Sequence, residues 1–316
     1  MELGFALSSE DHGPAELVRQ AQLAEEAGFT FAGISDHFHP WTSEQGESPF
    51  VWTTLGAIAQ ATEKIRVFTG VTCPTIRMHP AIVAHAAATV AAMMPGRFAL
   101  GVGTGENLNE HVTGARWPLA WERLEMLEEA VEVIRKLWTG EEVTHRGDHY
   151  TVQEARLYTV PDEAPEIYVA AGKPGAARLA GRIGDALIST SPDEEIVQEF
   201  ESAGGSGKPK IGQFHCAYDD DETAALERAH KLWPNAALAG SGGQELPSPR
   251  DFEEAADNVT VKDIAKVVPA GPDPEPYLEQ LRAYEEAGFT HVYIHQIGEN
   301  QEEFAEFASR ELLPNV

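Results

Sequence analysis

The sequence predicts an α/β protein with the (β/α)8 TIM-barrel fold and a helical insertion. Eight short apolar runs of strand length alternate with longer segments of helical periodicity. The string Glu-Glu-Ala-Gly-Phe-Thr occurs at residues 25–30 and again at 285–290, and each copy ends a helical segment with a glycine before an apolar run. Strands that alternate with helices imply a parallel sheet, and eight of them favour a closed barrel over a doubly wound sheet.

The predicted elements run along the whole chain, which we interpret as one domain over residues 1–316. The apolar runs predict strands at 3–7, 29–34, 65–71, 98–102, 167–170, 186–189, 211–217 and 292–295. Apolar residues at helical spacing predict helices at 14–27, 80–93, 119–138, 175–183, 193–203, 276–287 and 301–312.

Two regions depart from this alternation. Residues 142–159 predict a hairpin-like excursion around Arg146-Gly147-Asp148, and residues 221–268 predict a polar helical insertion with a Gly/Ser/Pro-rich centre at 239–249. Excursions of this kind above a barrel mouth usually form lids or dimer contacts.

The net charge of −28, from 51 acidic and 23 basic residues, opposes binding to nucleic acid or to anionic membranes. The acidic residues are spread along the predicted helices, which is typical of a folded halophilic protein, and we expect an archaeal source. No apolar run could span a bilayer and the N-terminus enters a strand at once, so we expect a cytoplasmic protein. The two cysteines have no metal-binding or disulfide spacing, and we expect no metal.

The segment after the second predicted strand combines a carboxylate, two imidazoles and an indole, namely Asp36, His37, His39 and Trp41. Polar residues at the carboxyl end of a barrel strand typically serve catalysis. The structural alternative is that Asp36 caps the next turn and His37 is a hydrogen-bonded histidine near the core.

Glycines follow several other predicted strands. The fourth strand runs into Gly103-Thr104-Gly105-Glu106, which lacks the third glycine and the distal acid of a dinucleotide fingerprint, so a nicotinamide site is not favoured. The glycines of this loop, together with Gly70 and Gly172, let the backbone approach a flat ligand. The helix after Lys173 can hold a phosphate at its N-terminus. These strand ends predict a planar, phosphorylated cofactor.

Four strings in this order resemble the luciferase-like superfamily of deazaflavin-dependent dehydrogenases: residues 35–41, 75–84, 101–110 and 168–172. Within it, the chain resembles the coenzyme F420-dependent glucose-6-phosphate dehydrogenases and secondary alcohol dehydrogenases, along nearly its whole length and least over 219–268. The resemblance implies coenzyme F420 as cofactor, a small alcohol or sugar as substrate, and a homodimer.

The resemblance also implies residue roles. His37 matches the base for the substrate hydroxyl, Glu106 the proton donor near the cofactor, Trp41 a ring beside the reacting centre and Glu10 an acid of the active-site floor. The implied cofactor contacts are Asp36, Gly70, Val71, Cys73, Gly105, Asn109, Ala171, Gly172 and Lys173, with a non-prolyl cis peptide at Gly70 and Val71. The expected substrate contacts are Thr190, Asp193 and Trp233.

One departure from the family bears on the substrate. Asp193 stands where the sugar-phosphate enzymes carry a lysine, and a carboxylate cannot neutralise a phosphate. We therefore expect hydride transfer between the deazaflavin and a secondary alcohol or sugar hemiacetal. The alternatives are a glucose-6-phosphate dehydrogenase that holds the phosphate with Lys173, Lys262 or Lys266, an FMN-dependent luciferase-like monooxygenase, and a non-catalytic deazaflavin-binding protein, which has no need of both His37 and Glu106.

Overall fold

The computed structural model describes residues 1–238 and 241–316; Ala239 and Gly240, which begin the predicted Gly/Ser/Pro-rich centre of the insertion, lie outside the described residues. The strands are β1 Glu2–Leu7, β2 Phe31–Ile34, β3 Arg66–Thr69, β4 Phe98–Val102, β5 Val143–Arg146, β6 Thr151–Ala155, β7 Ile167–Ala170, β8 Ala186–Ser189, β9 Lys210–Cys216 and β10 His291–Gln296. The α-helices are α1 Pro14–Ala27, α2 Val51–Ala61, α3 Pro80–Met93, α4 Asn107–Glu110, α5 Ala120–Leu137, α6 Pro174–Ile183, α7 Glu194–Phe200, α8 Glu222–Leu232, α9 Pro249–Ala256, α10 Val261–Ile264, α11 Glu275–Glu286 and α12 Gln301–Phe307.

Eight of these strands close into a parallel barrel in the order β1-β10-β9-β8-β7-β4-β3-β2. They are the eight predicted strands, so the TIM-barrel prediction is confirmed. Because all eight run in the same direction, the loops after their carboxyl ends meet at one mouth of the barrel. Strands β5 and β6 form a separate antiparallel hairpin within the predicted excursion.

The helices differ from the prediction at α2, α4, α7 and α12: α4 was not predicted, and α12 ends at Phe307 and continues as a wider turn to Leu312. Helix α2 was not predicted, because VWTTLGAIAQA contains no charged residue and so shows no clear polar face. Helix α7 ends at Phe200, short of residue 203, and the chain leaves it through a wider turn in which Gly204 has φ 112°. Both copies of the repeated string end a helix as predicted, with Gly28 and Gly288 at φ 100° and 93°.

The apolar core has an outer layer between strands and helices and a smaller inner cluster inside the barrel. The inner cluster includes Phe31, Phe68 and Tyr293, all nearly fully buried. Two glycines make room for these rings: a Cβ added at Gly4 would lie 2.3 Å from the Phe31 ring, and one at Gly33 would lie 2.8 Å from the Phe68 ring. This aromatic layer fills the barrel and supports the mouth above it.

The helices bear on the expectation that no segment of the chain spans a bilayer. Within residues 1–238 and 241–316, none of the helices combines the length and the apolar character that a bilayer crossing demands.

Candidate active site

The imidazole of His37, on the loop after β2, is fixed on two sides. Its Nδ1 lies 3.1 Å from the carbonyl oxygen of His39, which can only accept, so Nδ1 carries the proton. Its Nε2 lies 3.4 Å from Glu10 Oε1, and the ring centroid lies 4.8 Å from that of Trp41. The neutral ring therefore has Nε2 as its basic atom, next to a carboxylate that stabilises the imidazolium.

Glu10 follows β1 and forms a buried floor beside His37. Its Oε2 accepts hydrogen bonds from Ser35 Oγ at 2.6 Å and from Ser8 Oγ at 3.1 Å. Burial acts to raise the pKa of Glu10, but the charge of His37 and the Ser35 hydrogen bond outweigh it and hold that pKa below its ordinary value. Glu10 is thus ionised beside the imidazole.

The carboxylate of Asp36 is closed off from the mouth. Arg77 Nη2 donates to its Oδ1 at 2.8 Å and Thr72 Oγ1 donates to its Oδ2 at 2.7 Å. The Asp36 side chain is 0% exposed and that of Arg77 is 8% exposed. The Asp36 side chain ties the loop after β2 to the loop after β3, and its expected contact with the cofactor stays a prediction.

Glu110, at the end of α4, is a second carboxyl group next to Arg77. Its Oε2 accepts from the Arg77 main-chain N at 2.7 Å, and its Oε1 lies 3.6 Å from Arg77 Nε. Burial is the main cause that raises the pKa of Glu110 to about 7. Near neutral pH the Glu110 carboxyl group is therefore partly protonated.

Cys73 is buried directly beneath Gly105. Its Sγ lies 2.9 Å from Thr75 Oγ1, and a Cβ added at Gly105, where φ is +77°, would lie 2.6 Å from that sulfur. Burial raises the pKa of the Cys73 thiol well above its usual value, so the thiol stays protonated. The Cys73 side chain supports the loop after β4, and its expected contact with the cofactor stays a prediction.

Asn109 connects that loop to the loop that carries His37. Its Oδ1 accepts from the main-chain N of Phe38 at 2.8 Å and of His39 at 3.2 Å, and its Nδ2 donates to Glu106 Oε2 at 3.5 Å. Asn109 is buried, whereas Glu106 is only half-buried. The Asn109 side chain thus supports the loops, its expected contact with the cofactor stays a prediction, and Glu106 remains accessible.

The ends of β3, β4 and β7 carry little side-chain bulk where they face the mouth. The peptide bond between Gly70 and Val71 is cis. A Cβ added at Gly103 would lie 2.7 Å from Val71 Cγ2, so only glycine leaves Val71 in place. Gly70, Val71 and Ala170 are partly exposed. We call Gly70, Val71, Gly103 and Ala170 the glycine strip. It is a surface against which a flat ring can lie.

The loop after β7 extends from the glycine strip to the N-terminus of α6. Ala171 is buried, and its main-chain N donates to Ile188 O at 2.9 Å; its expected contact with the cofactor stays a prediction. Gly172 and Lys173 are exposed, and Lys173 is the N-cap of the ten-residue α6. A helix N-terminus offers main-chain N–H groups to an anion, so this end of the strip suits a phosphate.

A second group of polar side chains, which we call the second imidazole cluster, contains Asp11, His215, Trp233 and His295. The Nδ1 atoms of the two imidazoles lie 2.7 Å apart. Trp233 Nε1 donates to Asp11 Oδ2 at 2.7 Å, and the same oxygen lies 3.4 Å from His295 Nε2. Trp233, expected as a substrate contact, is therefore held at the mouth by Asp11.

The other two expected substrate contacts lie after β8. Thr190 is exposed there, and Asp193 caps α7 by accepting from Glu195 N at 2.9 Å. Asp193 therefore has a helix-capping role that explains its residue type without a ligand. Across the described part of the chain, His, Cys, Asp and Glu side chains form no group of three that could hold a metal ion.

Sequence reasoning missed several residues of this site. Arg77 and Glu110 were not singled out, because each meets its partners across different loops and neither loop shows the pairing by itself. His215 and His295 could have been found from strand periodicity, since both fall on the inward-facing positions of predicted strands.

The sequence model of the luciferase-like monooxygenase family matches residues 1–291. The chain is similar to two F420-dependent glucose-6-phosphate dehydrogenases. That of Nocardia farcinica is 39% identical and that of Rhodococcus erythropolis is 37% identical, in each case over 100% of this chain and 98% of the relative.

Solved structures agree with these sequence relatives. An F420-dependent secondary alcohol dehydrogenase in complex with an F420-acetone adduct superposes with a TM-score of 0.90 at 30% identity, covering 98% of both chains. A coenzyme F420-dependent tetrahydromethanopterin reductase from Methanopyrus kandleri superposes with a TM-score of 0.80 at 21% identity, covering 99% of this chain and 98% of that chain, which shows a common fold.

We predict that Arg77→Met lowers the free energy of unfolding by about 3 to 5 kcal/mol, because it leaves the buried Asp36 carboxylate without its cation. Urea unfolding followed by circular dichroism measures this. The matched control is Arg19→Met, which removes an exposed arginine 2.8 Å from Glu16 and is expected to cost less than about 1 kcal/mol. Equal effects of the two substitutions would contradict the role given to Arg77.

Proposed function

The chain belongs to the luciferase-like monooxygenase family, and on that premise we propose that it is an F420-dependent oxidoreductase. The reaction is a reversible hydride transfer between the deazaflavin C5 and the carbon of a secondary alcohol or sugar hemiacetal. The observation that carries this proposal is the pairing of His37 with Glu10 beside the half-buried Glu106, with the glycine strip on the neighbouring strand ends.

The residues present suit this cofactor. The glycine strip leaves room for a planar ring, and Gly172 with the N-terminus of α6 suits the phosphate of its tail. When bound, the deazaflavin supplies the acceptor for the hydride, while the protein supplies orientation and proton transfer.

The proton of the substrate hydroxyl passes to His37 Nε2. The His39 carbonyl holds the proton of the neutral ring on Nδ1, so Nε2 has a free lone pair, and Glu10 stabilises the imidazolium that results. Trp41 holds the imidazole plane from one side and is itself held by Phe252 of the insertion, with ring centroids 5.1 Å apart. Glu106 is the accessible carboxyl group near the glycine strip. It would serve as proton donor during oxidation of the alcohol and as proton acceptor in the reverse direction.

The test of the function is a titration with F420, followed by anaerobic assays that monitor loss of the oxidised deazaflavin absorbance with glucose, glucose-6-phosphate and 2-propanol. Glucose-6-phosphate is the alternative substrate, because the curated relatives are named for it. Asp193, the buried Glu10 and Asp11, whose side chain is 3% exposed, favour an uncharged substrate, since each carboxylate would repel a phosphate. Binding of NAD or NADP in place of F420 would reject the proposal.

We predict that His37→Asn lowers turnover by about 10²-fold or more and leaves the Kd for F420 within about threefold, because a general base contributes roughly 10² to 10⁴ in rate. Stopped-flow reduction of F420 and a separate binding titration measure the two effects. His149→Asn, which replaces a half-buried histidine on the β5–β6 hairpin, serves as control and should change neither. Unchanged turnover in His37→Asn would assign His37 a purely structural role.

We also propose that the chain forms a homodimer through the outer faces of α2 and α3. Neither helix contains an Asp, Glu, Lys or Arg, on a chain with a net charge of −28. The groove between them is lined by Gly56, Ile82, Ala86 and Met93, and Ile82 is 60% exposed. Two copies repel each other over most of their surface, so this uncharged face is where a second copy of the chain can approach.

We predict that Ile82→Glu shifts the protein from dimer to monomer, because it places a charge in a self-complementary apolar contact. Light scattering coupled to size exclusion measures the mass. Leu119→Glu is the matched control, since Leu119 is 61% exposed but lies before α5, and the dimer should persist. A wild-type protein that is monomeric at micromolar concentration would reject the proposal.

Halophily is the third proposal, supported by the dispersed acidic surface. We predict that the melting temperature and the activity both rise from dilute buffer to molar potassium chloride, because salt screens the repulsion between carboxylates. Thermal unfolding across a salt series measures this. Full stability in dilute buffer would refute halophily and leave the enzyme assignment intact.

A further inference from the structure

The imidazoles of His215 and His295 face the inside of the barrel at the ends of β9 and β10. Ile211 of β9 belongs to the inner cluster, whereas Phe214 belongs to the outer core. Because side chains alternate along a strand, His215 points inwards, like Ile211. His295 lies two residues after Tyr293 of the inner cluster, so it also points inwards. In the strand pairing it lies directly opposite His215.

The two imidazoles differ in their access to the mouth. His215 is partly exposed, whereas His295 is 2% exposed and Trp233 is 5% exposed. The Trp233 ring lies 5.0 Å from the His215 ring and 4.6 Å from the His295 ring, centroid to centroid, and covers both from one side. His215 is therefore the imidazole that a molecule in the mouth can reach.

The accessible ring is uncharged. The Nδ1 atoms of the two imidazoles are 2.7 Å apart, so the pair shares one proton between them. One edge of the His215 ring is open to the mouth but most of the side chain is covered, and this burial, followed by the neighbouring His295, lowers the pKa of His215 to about 3. His295 Nε2 lies 3.4 Å from Asp11 Oδ2, on the side of the pair away from His215. Because the pKa of His215 is lowered, its second ring nitrogen is left as a neutral hydrogen-bonding atom.

The second imidazole cluster and the proposed base are joined through adjacent residues of one loop. Glu10 contacts His37, and Asp11, the next residue, contacts His295. The charge of His295 also contributes to the lowered pKa of Glu10, which places the two imidazole systems near each other at the mouth. His37 and His215 are thus linked through Glu10, Asp11 and His295, on the same side of the mouth.

We propose that His215 determines specificity by forming a hydrogen bond to a second hydroxyl group of the substrate, which is an uncharged polyhydroxy compound of the sugar type. This inference rests on the proposed function and names the substrate class of the same site. A hydroxyl group can donate or accept, so it pairs with the neutral ring in either tautomer. A phosphate dianion would face a neutral ring with Glu10 and Asp11 behind it, and a monohydroxy alcohol would leave His215 unpaired.

The test compares two uncharged substrates, glucose and 2-propanol, in matched variants. His215→Leu should lower kcat/KM for glucose by about 10- to 100-fold, because a site group that pairs with a substrate hydroxyl contributes roughly 1 to 3 kcal/mol. The same variant should leave kcat/KM for 2-propanol and the Kd for F420 within about threefold. His215→Gln, which keeps a polar atom, should recover most of the activity on glucose, and His149→Leu on the hairpin should behave as wild type.

Two outcomes would overturn the inference while the proposed function stands: an equal loss on both alcohols in His215→Leu, or a wild-type enzyme that oxidises 2-propanol or glucose-6-phosphate in preference to glucose. A wild-type protein without F420 binding or any alcohol oxidation would instead reject the proposed function. Side-chain nitrogen NMR of the free protein at pH 7 is independent of activity. It should show His215 neutral, and an imidazolium signal at this residue would overturn the inference.

Discussion

The fit between glycines and aromatic rings inside the barrel is the constraint on which the rest of this structure depends. An eight-stranded parallel barrel must fill its interior with side chains, and here a few large rings do so. The rings of Phe68 and Tyr293 meet edge to face at 5.2 Å, opposite Gly33. Above this layer the inward positions of β9 and β10 are polar, at His215 and His295, so the rings form the floor of the mouth.

Carboxyl groups at the surface and at the mouth differ in their exposure and in their partners. On the helices they are exposed and numerous, whereas the four buried ones at the mouth each have a defined partner or are neutralised. Glu10 meets His37, Asp11 meets Trp233 and His295, Asp36 meets Arg77, and Glu110 has its pKa raised towards neutrality. The strongly acidic composition of the chain therefore does not leave unpaired negative charges buried at the site.

The barrel was predictable because parallel strands buried on both faces appear as continuous apolar runs, and all eight were found. Helix α2 was not, because a helix without charges lacks the alternation of polar and apolar faces that marks its neighbours. Within the site, the position of Asp36 after a strand was evident, but the direction of its side chain was not. That direction is set by Arg77 on another loop, a contact between distant residues that local sequence does not reveal.

The burial of Cys73 beneath the loop after β4 has a consequence for a protein that handles electron pairs. Cys73 and Cys216 are the two thiols of the chain; both are buried, and burial raises the pKa of each well above its usual value. Sulfur reacts with oxidants chiefly as the thiolate, so neither residue offers a competing nucleophile. The proton and hydride transfers at the mouth therefore meet no thiolate at either of these two positions.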